Sequence, residues 1–532
     1  MMSKPDRAPA STTTNVVQRS FYLDSVALMR LTQQLTSEFD LTDAAVMVAT
    51  PSNLELMAQA GLLTSAAADA TANDVVIALA GHDKGVLARA AKQAVALLAG
   101  ARTIPADSAM TATSGPGRAG QSPIGLIGTA RERPDANLAL ISVPSEFAAL
   151  EAHAALAQKL NVFLFTNNVS LADELALKQR ARDAGLIVMG PDCGTSIISG
   201  TPLGFANAVP RGNVGLVGAT GTGLQEVSVL IGRAGLGTRH AIGVGGRDLH
   251  RDIGGISAHW AVACLAQDEE TDYIVLISKP PAAQVAEALI RSLQESGKPA
   301  VACFLGDTNA THSNSNVIRV GSLFAAAQAV CQLAGPQFQI DNSPTPPTSA
   351  RAGVIRGFFC GGTLAAEVQV TLRAHGLAVG SNAPIAGVGA PNPNGHCILD
   401  VGAPEYTQGK PHPMIEPSVR RSLIRTALTQ PDTAVVLADI VLGTGSHMDP
   451  AGELLLSLQP HEDDDAIKMP AGHSTHDRPP IIVNVCGIEG DAQGFESTCD
   501  RLRAGGATVV LSAAQAAWAA VQCLEAQKNV VN

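Results

Sequence analysis

A loop rich in glycine and threonine is the first feature of this sequence whose composition suggests chemistry. The loop, Thr220-Gly221-Thr222-Gly223, follows the short apolar run Val214–Val217 and precedes an amphipathic stretch. Backbone N–H groups and the positive dipole end at a helix N-terminus attract anions, and glycines let a phosphate approach closely. The loop is therefore a candidate phosphate site. A tight crossover turn that binds no ligand would have the same composition, and this alternative stays open.

A second candidate site lies between residues 396 and 420, in a stretch rich in glycine and proline. Its polar members are His396, Asp400, Lys410, His412 and Arg420. Prolines on both sides hold His412 rigidly, so its imidazole could donate to a carbonyl or relay a proton. Arg420 could grip a phosphate or carboxylate with two parallel hydrogen bonds. We interpret His412 and Arg420 as candidate catalytic residues and Asp400 and Lys410 as ligand-binding residues. The alternative is a solvated surface loop.

Two further turns follow predicted strands. Gly361 and Gly362 come after the apolar run 354–359 and before a helical stretch, and they are further candidate ligand-binding residues. His447 follows another strand, at the end where doubly wound sheets place their ligands, and it is a third candidate catalytic residue. Asp449 precedes Pro450, a pattern typical of a helix N-cap, and this role is compatible with a nearby site.

Composition limits the classes of protein and partner. Hydrophobic residues are 46% of the 532 residues and charged residues 16%, with 51 glycines, as is typical of parallel sheets covered by helices. The formal net charge of −11 argues against nucleic acid as a partner, and no apolar run is suited to crossing a membrane. The nine cysteines, without a CxxC pair, favour free thiols and a cytoplasmic location. We expect no metal site, because His473 and His476 lack a convincing third ligand.

Short apolar strands alternate with helical segments along most of the chain. This alternation predicts an α/β fold with several doubly wound parallel-sheet domains in tandem, Rossmann-like and flavodoxin-like. The Pro- and Ser-rich segment 335–351 is typical of an interdomain linker. The predicted divisions are a disordered tail at 1–15, a small α/β domain at 16–100, α/β domains at 101–210 and 211–334, the linker, and a last α/β domain at 352–532.

Longer motifs resemble one known superfamily. Gly190-Pro191-Asp192-Cys193-Gly194 is similar to a turn in the α subunit of succinyl-CoA synthetase, and the likeness continues through Gly212–Gly246. The segments Ile398–Gly402 and Ile481–Gly494 resemble the C-terminal domain of the β subunit. Nearly the whole chain resembles the FdrA family, most clearly in three segments: Phe359–Leu364, Gly409–Ile415 and Asp439–Gly443.

The resemblance implies identities for the predicted domains. Residues 101–210 resemble a CoA-binding Rossmann domain, which could continue into the region before it. Residues 211–334 resemble the flavodoxin-like succinyl-CoA ligase domain, and residues 352–532 resemble the C-terminal domain of the β subunit. No cofactor is certain, although CoA or a phosphorylated ligand is compatible with this architecture.

Membership of the FdrA family would imply a subunit of an oligomeric carbamoyltransferase complex with partner subunits. The implied reaction is phosphorolysis of oxalurate to oxamate and carbamoyl phosphate in allantoin and purine nitrogen breakdown. Gly221, Thr222 and Gly223 would then hold phosphate, and His412 and Arg420 would orient the carbonyl substrate. Two alternatives stay open: an acyl-CoA synthetase subunit that binds CoA and needs a separate ATP-grasp partner, and a non-catalytic CoA- or nucleotide-binding scaffold.

Two departures from the synthetases bear on this choice. ATP-dependent synthetases of this type need an ATP-grasp domain, and the segment 335–351 leaves no room for one between the two halves. The segment Gly306–Asn316 occupies the place of the synthetase phosphohistidine loop, and its His312 lacks the flanking glycines of a loop that must swing. We therefore expect His312 to be an ordinary polar loop residue.

Overall fold

The computed structural model describes residues 12–19, 21, 23, 25–67, 69–71, 74–101, 125–308, 315–341, 351–407, 411–459 and 478–531. Lys410, His312, His473 and His476 lie outside these residues, as does most of the predicted linker 335–351. The chain divides into two compact units. The first comprises residues 1–132, 142–144 and 408–411, and the second comprises residues 133–141, 145–407 and 412–532.

The first unit is a small antiparallel α/β structure. Its elements are β1 (Thr12–Gln18), α1 (Ser25–Glu38), β2 (Asp43–Val48), α2 (Pro51–Gln59), β3 (Val75–Gly81), α3 (Lys84–Ala101) and α4 (Gly125–Glu132). The strands form an antiparallel sheet in the order β1-β3-β2, and every residue of the central strand β3 is buried. β1 begins inside the segment predicted to be a tail. Burial on both faces explains the uninterrupted apolar sequence of β3.

The second unit contains the remaining elements. Its first part comprises β4 (Leu138–Ile141), α5 (Ser145–Ala157), β5 (Asn161–Leu164), α6 (Leu171–Asp183), β6 (Val188–Met189), β7 (Thr195–Ile198) and β8 (Thr201–Gly204). Its middle part comprises β9 (Val214–Gly218), α7 (Gly221–Arg233), β10 (Thr238–Gly243), α8 (Ile256–Gln267), β11 (Tyr273–Ser278), α9 (Ala283–Glu295), β12 (Ala300–Phe304), β13 (Val317–Val320) and α10 (Leu323–Ala334). Its last part comprises β14 (Val354–Phe359), α11 (Gly362–Ala374), β15 (Val379–Gly380), β16 (His396–Asp400), α12 (Pro404–Thr407), α13 (Ser418–Thr429), β17 (Thr433–Val441), α14 (Pro450–Leu455), β18 (Ile481–Cys486), α15 (Phe495–Ala504), β19 (Thr508–Val510) and α16 (Ala513–Val531).

Both large sheets of the second unit are doubly wound. One has the order β13-β12-β11-β9-β10-β7-β8, with β7 and β8 antiparallel at one edge, and the other has the parallel order β15-β16-β14-β17-β18-β19. A small parallel sheet has the order β4-β5-β6. The parallel parts of the two large sheets have the same order, since β9, β10, β11, β12 and β13 occupy the places of β14, β16, β17, β18 and β19. The predicted fold class is confirmed. The antiparallel first sheet and the β7–β8 hairpin are features that alternation along the sequence does not reveal.

The strand registers bring several loops to the carboxyl edges of the large sheets. Gly218 at the end of β9 pairs with Gly243 of β10 and with Ile277 of β11. In the other sheet, Phe359 at the end of β14 pairs with Asp400 of β16. Because α7 and α11 begin directly after β9 and β14, both helix N-termini lie at the edge where doubly wound sheets bind ligands.

Helices α7, α10, α11 and α16 form a buried layer that contacts both large sheets. One apolar cluster contains residues of these helices together with residues of β9 and β17. Every residue from Gly223 to Gly232 in α7 is buried, as expected for a helix covered on all sides. None of the described helices is long and apolar enough to cross a membrane.

Two buried glutamates cap neighbouring helices in this layer. Glu226 of α7 accepts a hydrogen bond from the Ala513 N–H (2.8 Å) at the start of α16. Glu367 of α11 accepts from the N–H groups of Leu323 (2.8 Å) and Phe324 (3.2 Å) at the start of α10. Burial raises the pKa of both carboxyls, that of Glu367 to about 7, while the backbone hydrogen bonds oppose the shift. The same kind of contact thus occurs twice: a glutamate of α7 binds the start of α16, and a glutamate of α11 binds the start of α10.

A fully buried lysine joins α6 to the loop after β10. Lys178 Nζ donates to Glu174 Oε1 (2.9 Å), Asp248 Oδ1 (2.7 Å) and the Val244 carbonyl (2.9 Å). The side chains of Lys178 and Asp248 are 0% exposed and that of Glu174 is 1% exposed. Such a network tolerates the loss of its cation poorly, because two buried carboxylates would lose their shared ammonium partner and keep only Arg247 beside Glu174 and the Ser257 and Ala258 N–H groups beside Asp248.

Lys178→Met should therefore lower the free energy of unfolding of the second unit by roughly 3–5 kcal/mol. The measurement is urea unfolding of the full chain, and Lys159→Met is the control. Lys159 is exposed, so its substitution should change stability by less than about 0.5 kcal/mol. Equal stabilities of the two variants would contradict the prediction.

Candidate functional site

Helices α7 and α11 begin next to each other. Thr220 Oγ1 and Thr363 Oγ1 are 2.5 Å apart, so one hydroxyl donates to the other. Thr220 is also the N-cap of α7 and accepts a hydrogen bond from the Gly223 N–H at 3.1 Å. Two loops that are distant in the sequence thus lie side by side. Together they contain these predicted ligand-binding residues: Thr220, Gly221, Thr222, Gly223, Gly361 and Gly362.

Close packing explains the glycines in both loops. A Cβ on Gly362 would lie 2.3 Å from Asp400 Oδ2, and a Cβ on Gly223 would lie 2.6 Å from Thr220 Cγ2. A larger residue at either position would force the neighbouring group to move. These glycines therefore set the distance between the helix starts and the side chains around them.

A buried carboxylate to which the sequence analysis gave no role holds the start of α11. Asp439 in β17 accepts hydrogen bonds from the N–H groups of Cys360 (2.7 Å) and Gly361 (2.8 Å). Burial raises the pKa of Asp439, while Arg420 and the two N–H groups oppose the shift. The signal was available in the sequence, because a charged residue inside an apolar strand requires a partner.

Arg420 is that partner. It is 4% exposed at the beginning of α13, and its Nη1 donates to Asp439 Oδ1 (3.0 Å) and to the Asp439 carbonyl. A guanidinium held in this way supports the α11 loop through Asp439. The predicted grip of Arg420 on a ligand stays a prediction, and these contacts favour a positioning role.

His412 lies beside the end of β16. Its Nδ1 accepts a hydrogen bond from the Met414 N–H (3.2 Å), which assigns the proton of the neutral ring to Nε2. That Nε2 lies close to Gly402, where an added Cβ would be 2.6 Å away. Burial, with a smaller contribution from the Arg420 charge, lowers the pKa of His412 to about 4. The imidazole is therefore neutral at neutral pH.

Asp400 ends β16 and is 8% exposed. Its Oδ1 accepts a hydrogen bond from the Gly402 N–H at 3.0 Å, and its Oδ2 accepts none within the described residues. Burial raises the pKa of Asp400 to about 6, against the attraction of Lys279. The predicted ligand residue Asp400 thus lies against Gly362 at the start of α11, with one carboxyl oxygen available.

A small cavity of about 10 Å³, room for about one water molecule, lies next to this region. Arg420, His447, Cys360 and Met414 are among its lining residues. The structure therefore brings two predicted catalytic residues, Arg420 and His447, to one cavity.

The other predicted residues have structural roles or lie elsewhere. Asp449 caps α14 by accepting from the Gly452 N–H (2.9 Å), as its sequence pattern indicated, and it also pairs with Arg501 at 2.6 Å. His396 lies at the opposite end of β16 from Asp400, and its Nδ1 accepts from the Ile355 N–H (3.0 Å). The predicted role of Lys410 falls on a residue outside the described part of the chain.

Gly362→Ala should destabilise the second unit by about 1–3 kcal/mol, because its Cβ would collide with Asp400 Oδ2. Thermal unfolding of the full chain measures the effect. Gly389→Ala is the matched control, since a Cβ on Gly389 would meet nothing within 4 Å. Equal unfolding temperatures of the two variants would contradict the prediction, because the α11 loop would then accommodate the added Cβ without loss of stability.

The lowered pKa of His412 predicts a dependence of stability on pH. Its ordinary pKa is 6.5 and its pKa in the folded chain is about 4, so the unfolded chain binds a proton that the folded chain rejects between these values. Lowering the pH from about 7 to about 5 should cost the native state up to about 2 kcal/mol through this residue. His412→Gln should lose correspondingly less stability over the same range. Identical losses in urea unfolding would contradict the lowered pKa.

Three family models match the chain. Residues 11–113 match "AllF, heavy metal-associated domain", residues 210–306 match a CoA-binding domain, and residues 358–523 match CoA-ligase. Residues 11–113 contain no cysteine, and the described residues include no group of three or more His, Cys, Asp or Glu side chains that could hold a metal ion. The CoA-binding match falls largely on the domain that we described as ligase-like, and the predicted domain boundaries stay a prediction.

Two relatives of known sequence and one solved structure are similar to the chain. The chain is 38% identical over 461 residues to the uncharacterized protein YahF of Escherichia coli K12, covering 84% of this chain and 87% of YahF. It is 29% identical over 202 residues to the succinate–CoA ligase subunit alpha 2 of Archaeoglobus fulgidus, covering 36% and 69% of the two chains. The crystal structure of PH0766 from Pyrococcus horikoshii OT3 has 16% identity and a TM-score of 0.30, and the match covers 73% of this chain and 84% of PH0766.

These matches correct one expectation. The CoA-binding and CoA-ligase models and the succinate–CoA ligase relative indicate a CoA-ligase type of protein. The expectation of a carbamoyltransferase subunit is therefore wrong, and the acyl-CoA synthetase alternative has the better support. The chain belongs to the FdrA-like family, together with YahF, and combines an AllF-type N-terminal domain with the CoA-binding and CoA-ligase domains of the succinyl-CoA synthetase superfamily.

Proposed function

We propose that the chain is the CoA-binding subunit of an acyl-CoA synthetase-type ligase, which activates a carboxylic acid and joins it to the CoA thiol. The observation that carries the proposal is the meeting of α7 and α11 at Thr220 and Thr363. α7 lies in the region that matches a CoA-binding domain, and α11 lies in the region that matches CoA-ligase. Both matched regions therefore contribute to one site.

The helix pair suits an anionic reactant such as a carboxylate or an acyl phosphate. Each helix N-terminus presents N–H groups and the positive end of a dipole, and an anion between them would reduce the repulsion of the two ends. Of the Thr220 and Thr363 hydroxyls, the one that does not donate to the other is a further donor. Preorganised donors of this kind stabilise the charge that develops when an acyl group is transferred.

His412 and Asp400 supply groups that handle protons beside the helix pair. The neutral imidazole of His412 carries its proton on Nε2, so it can donate to a carbonyl oxygen without bringing a charge. The Asp400 carboxyl, with a pKa of about 6, is able to exchange a proton near neutral pH. Asp439 and Arg420 would keep the α11 loop in the geometry that this chemistry requires.

The residues present fit a CoA ligand at the same edge of the sheet. The loop after β10 borders open space, because a Cβ on Gly246 would meet nothing within 4 Å. Gly218 and Gly243 pair at the ends of adjacent strands just before this loop, at the edge where doubly wound sheets bind ligands. CoA would supply the thiol that receives the acyl group. The chain would bind its phosphates and orient its reactive arm toward Thr220 and Thr363.

The activating phosphate requires a partner. We infer that a separate chain with an ATP-grasp domain supplies it, because the segment between the two halves is too short to hold one. The complex would be an oligomer in the cytoplasm, where all nine cysteines would stay free thiols as in the structure. The predicted boundaries at 101–210, 211–334 and 352–532 are part of this proposal.

Binding of CoA to the purified full chain tests the proposal. At a concentration about 100 times the Kd, CoA should stabilise the native state by about 2.7 kcal/mol and raise the Tm, whereas adenosine monophosphate should do much less. Thr220→Val should weaken CoA binding about tenfold, because α7 loses its cap and the site loses a donor. The control is Thr201→Val, at an exposed position in β8. The proposal fails if CoA leaves the Tm unchanged or if the two variants bind CoA equally.

A further inference from the structure

Two buried polar side chains meet where α7 packs against the second large sheet. Glu226 of α7 is 1% exposed and Asn484 of β18 is 0% exposed. The two residues come from different halves, because α7 lies in the region that matches a CoA-binding domain and β18 lies in the region that matches CoA-ligase. Their contact therefore crosses the interface between the halves.

The hydrogen bonds of this pair use only one oxygen of the carboxyl. Glu226 Oε1 accepts from the Ala513 N–H (2.8 Å) and, over a longer distance, from Asn484 Nδ2 (3.4 Å). Within the described residues, Glu226 Oε2 and Asn484 Oδ1 are both buried and have no hydrogen-bond partner. Two groups in contact thus each hold an oxygen that lacks a donor, and such acceptors cost free energy in a protein interior.

A proton on the carboxyl would remove both deficits. A carboxylate and an amide oxygen are acceptors only, whereas a carboxylic acid has one O–H donor. A proton on Glu226 Oε2 would be donated to Asn484 Oδ1, while Asn484 Nδ2 donates to Glu226 Oε1. The opposite orientation of the Asn484 amide would place a second acceptor against Oε1, so the observed orientation is the favoured one.

The cation nearest to this carboxyl is engaged by other groups. Burial raises the pKa of Glu226, and the Ala513 N–H and the charge of Arg233 are the largest influences that oppose the shift. Arg233, also on α7, donates to the Leu511 carbonyl (2.7 Å) and the Val485 carbonyl (3.4 Å). Among the described residues no ion pair joins Arg233 to Glu226, so the guanidinium does not compensate fully for the burial of a negative charge.

The remaining ionisable groups around Glu226 are themselves acids. The Cys486 thiol of β18 and the Asn484 amide oppose the rise in the pKa of Glu226 less than Arg233 does, and a thiol is a weak donor. From α11, the negative charges of Glu367 and Glu226 repel each other. This repulsion favours a proton on one of the two carboxyls.

We propose that Glu226 carries a proton in the folded chain at neutral pH and forms reciprocal hydrogen bonds with the Asn484 amide, so that the contact between the two halves depends on a bound proton. Loss of this proton at higher pH leaves Asn484 Oδ1 without a donor and buries a negative charge in the interface. The contact therefore weakens as the pH rises. It is a pH-sensitive connection between the halves, and it does not depend on the proposed ligase function.

Urea unfolding of the full chain at several pH values tests the proposal with Glu226→Gln. The glutamine keeps Oε1 and offers an N–H donor in place of the acid O–H, so this variant should fold and should not titrate here. Because the ordinary pKa of this carboxyl is 4.5, the unfolded chain releases the proton that the folded chain keeps. Between about pH 5 and pH 7 the unfolding constant of the unsubstituted chain should therefore rise, relative to that of Glu226→Gln, by up to about tenfold per pH unit. Glu287→Gln, at an exposed position in α9, is the matched control and should follow the unsubstituted chain.

Infrared difference spectroscopy of the same folded samples at neutral pH observes the proton directly. Glu226→Gln should remove a carbonyl band of a protonated carboxyl that the unsubstituted chain and Glu287→Gln both show. Asn484→Ala should keep that band but move it to a higher wavenumber, because the acid loses its hydrogen bonds to the amide. The same pH dependence of unfolding in Glu226→Gln and Glu287→Gln, or no loss of the band in Glu226→Gln, would overturn the proposal. An unshifted band in folded Asn484→Ala would refute the pairing with Asn484.

Discussion

The site depends on holding two helix N-termini in contact. The starts of α7 and α11 carry partial positive charges of the same sign, which repel each other. The Thr220–Thr363 hydrogen bond bridges them, and Asp439 and Asp400 place carboxyl groups at the α11 end. Burial of both helices between the two large sheets prevents them from separating. An arrangement that is unfavourable without negative charge is one that attracts an anionic ligand.

The surrounding polar contacts keep this arrangement rigid. Glu226 and Glu367 each anchor the next helix of the buried layer, so α7 and α11 are fixed along their length as well as at their starts. The segment after β8 joins the two halves, since Asn207 Nδ2 donates to the Leu442 carbonyl (2.9 Å) and to Asp491 Oδ2 (2.8 Å). Such support gives a functional site its precision.

Fusion of the two halves in one chain changes how the site is assembled. The regions that resemble the α and β subunits of succinyl-CoA synthetase lie here in one polypeptide, so the helix pair does not depend on association between separate chains. Arg420, Arg247 and Lys178 are engaged by carboxylates in the structure, and these ion pairs maintain the fold around the helix pair.

The sequence by itself determined the α/β class, the strand–turn–helix units and the glycine loops at Thr220 and Gly361, because these follow from local periodicity and turn chemistry. It also indicated the Asp449 cap. Only the tertiary structure decided that the two loops meet and that Arg420 pairs with Asp439. Contacts between residues far apart in the sequence arise from strand order and register. Strand order and register cannot be read from the local pattern or the composition of a single sequence.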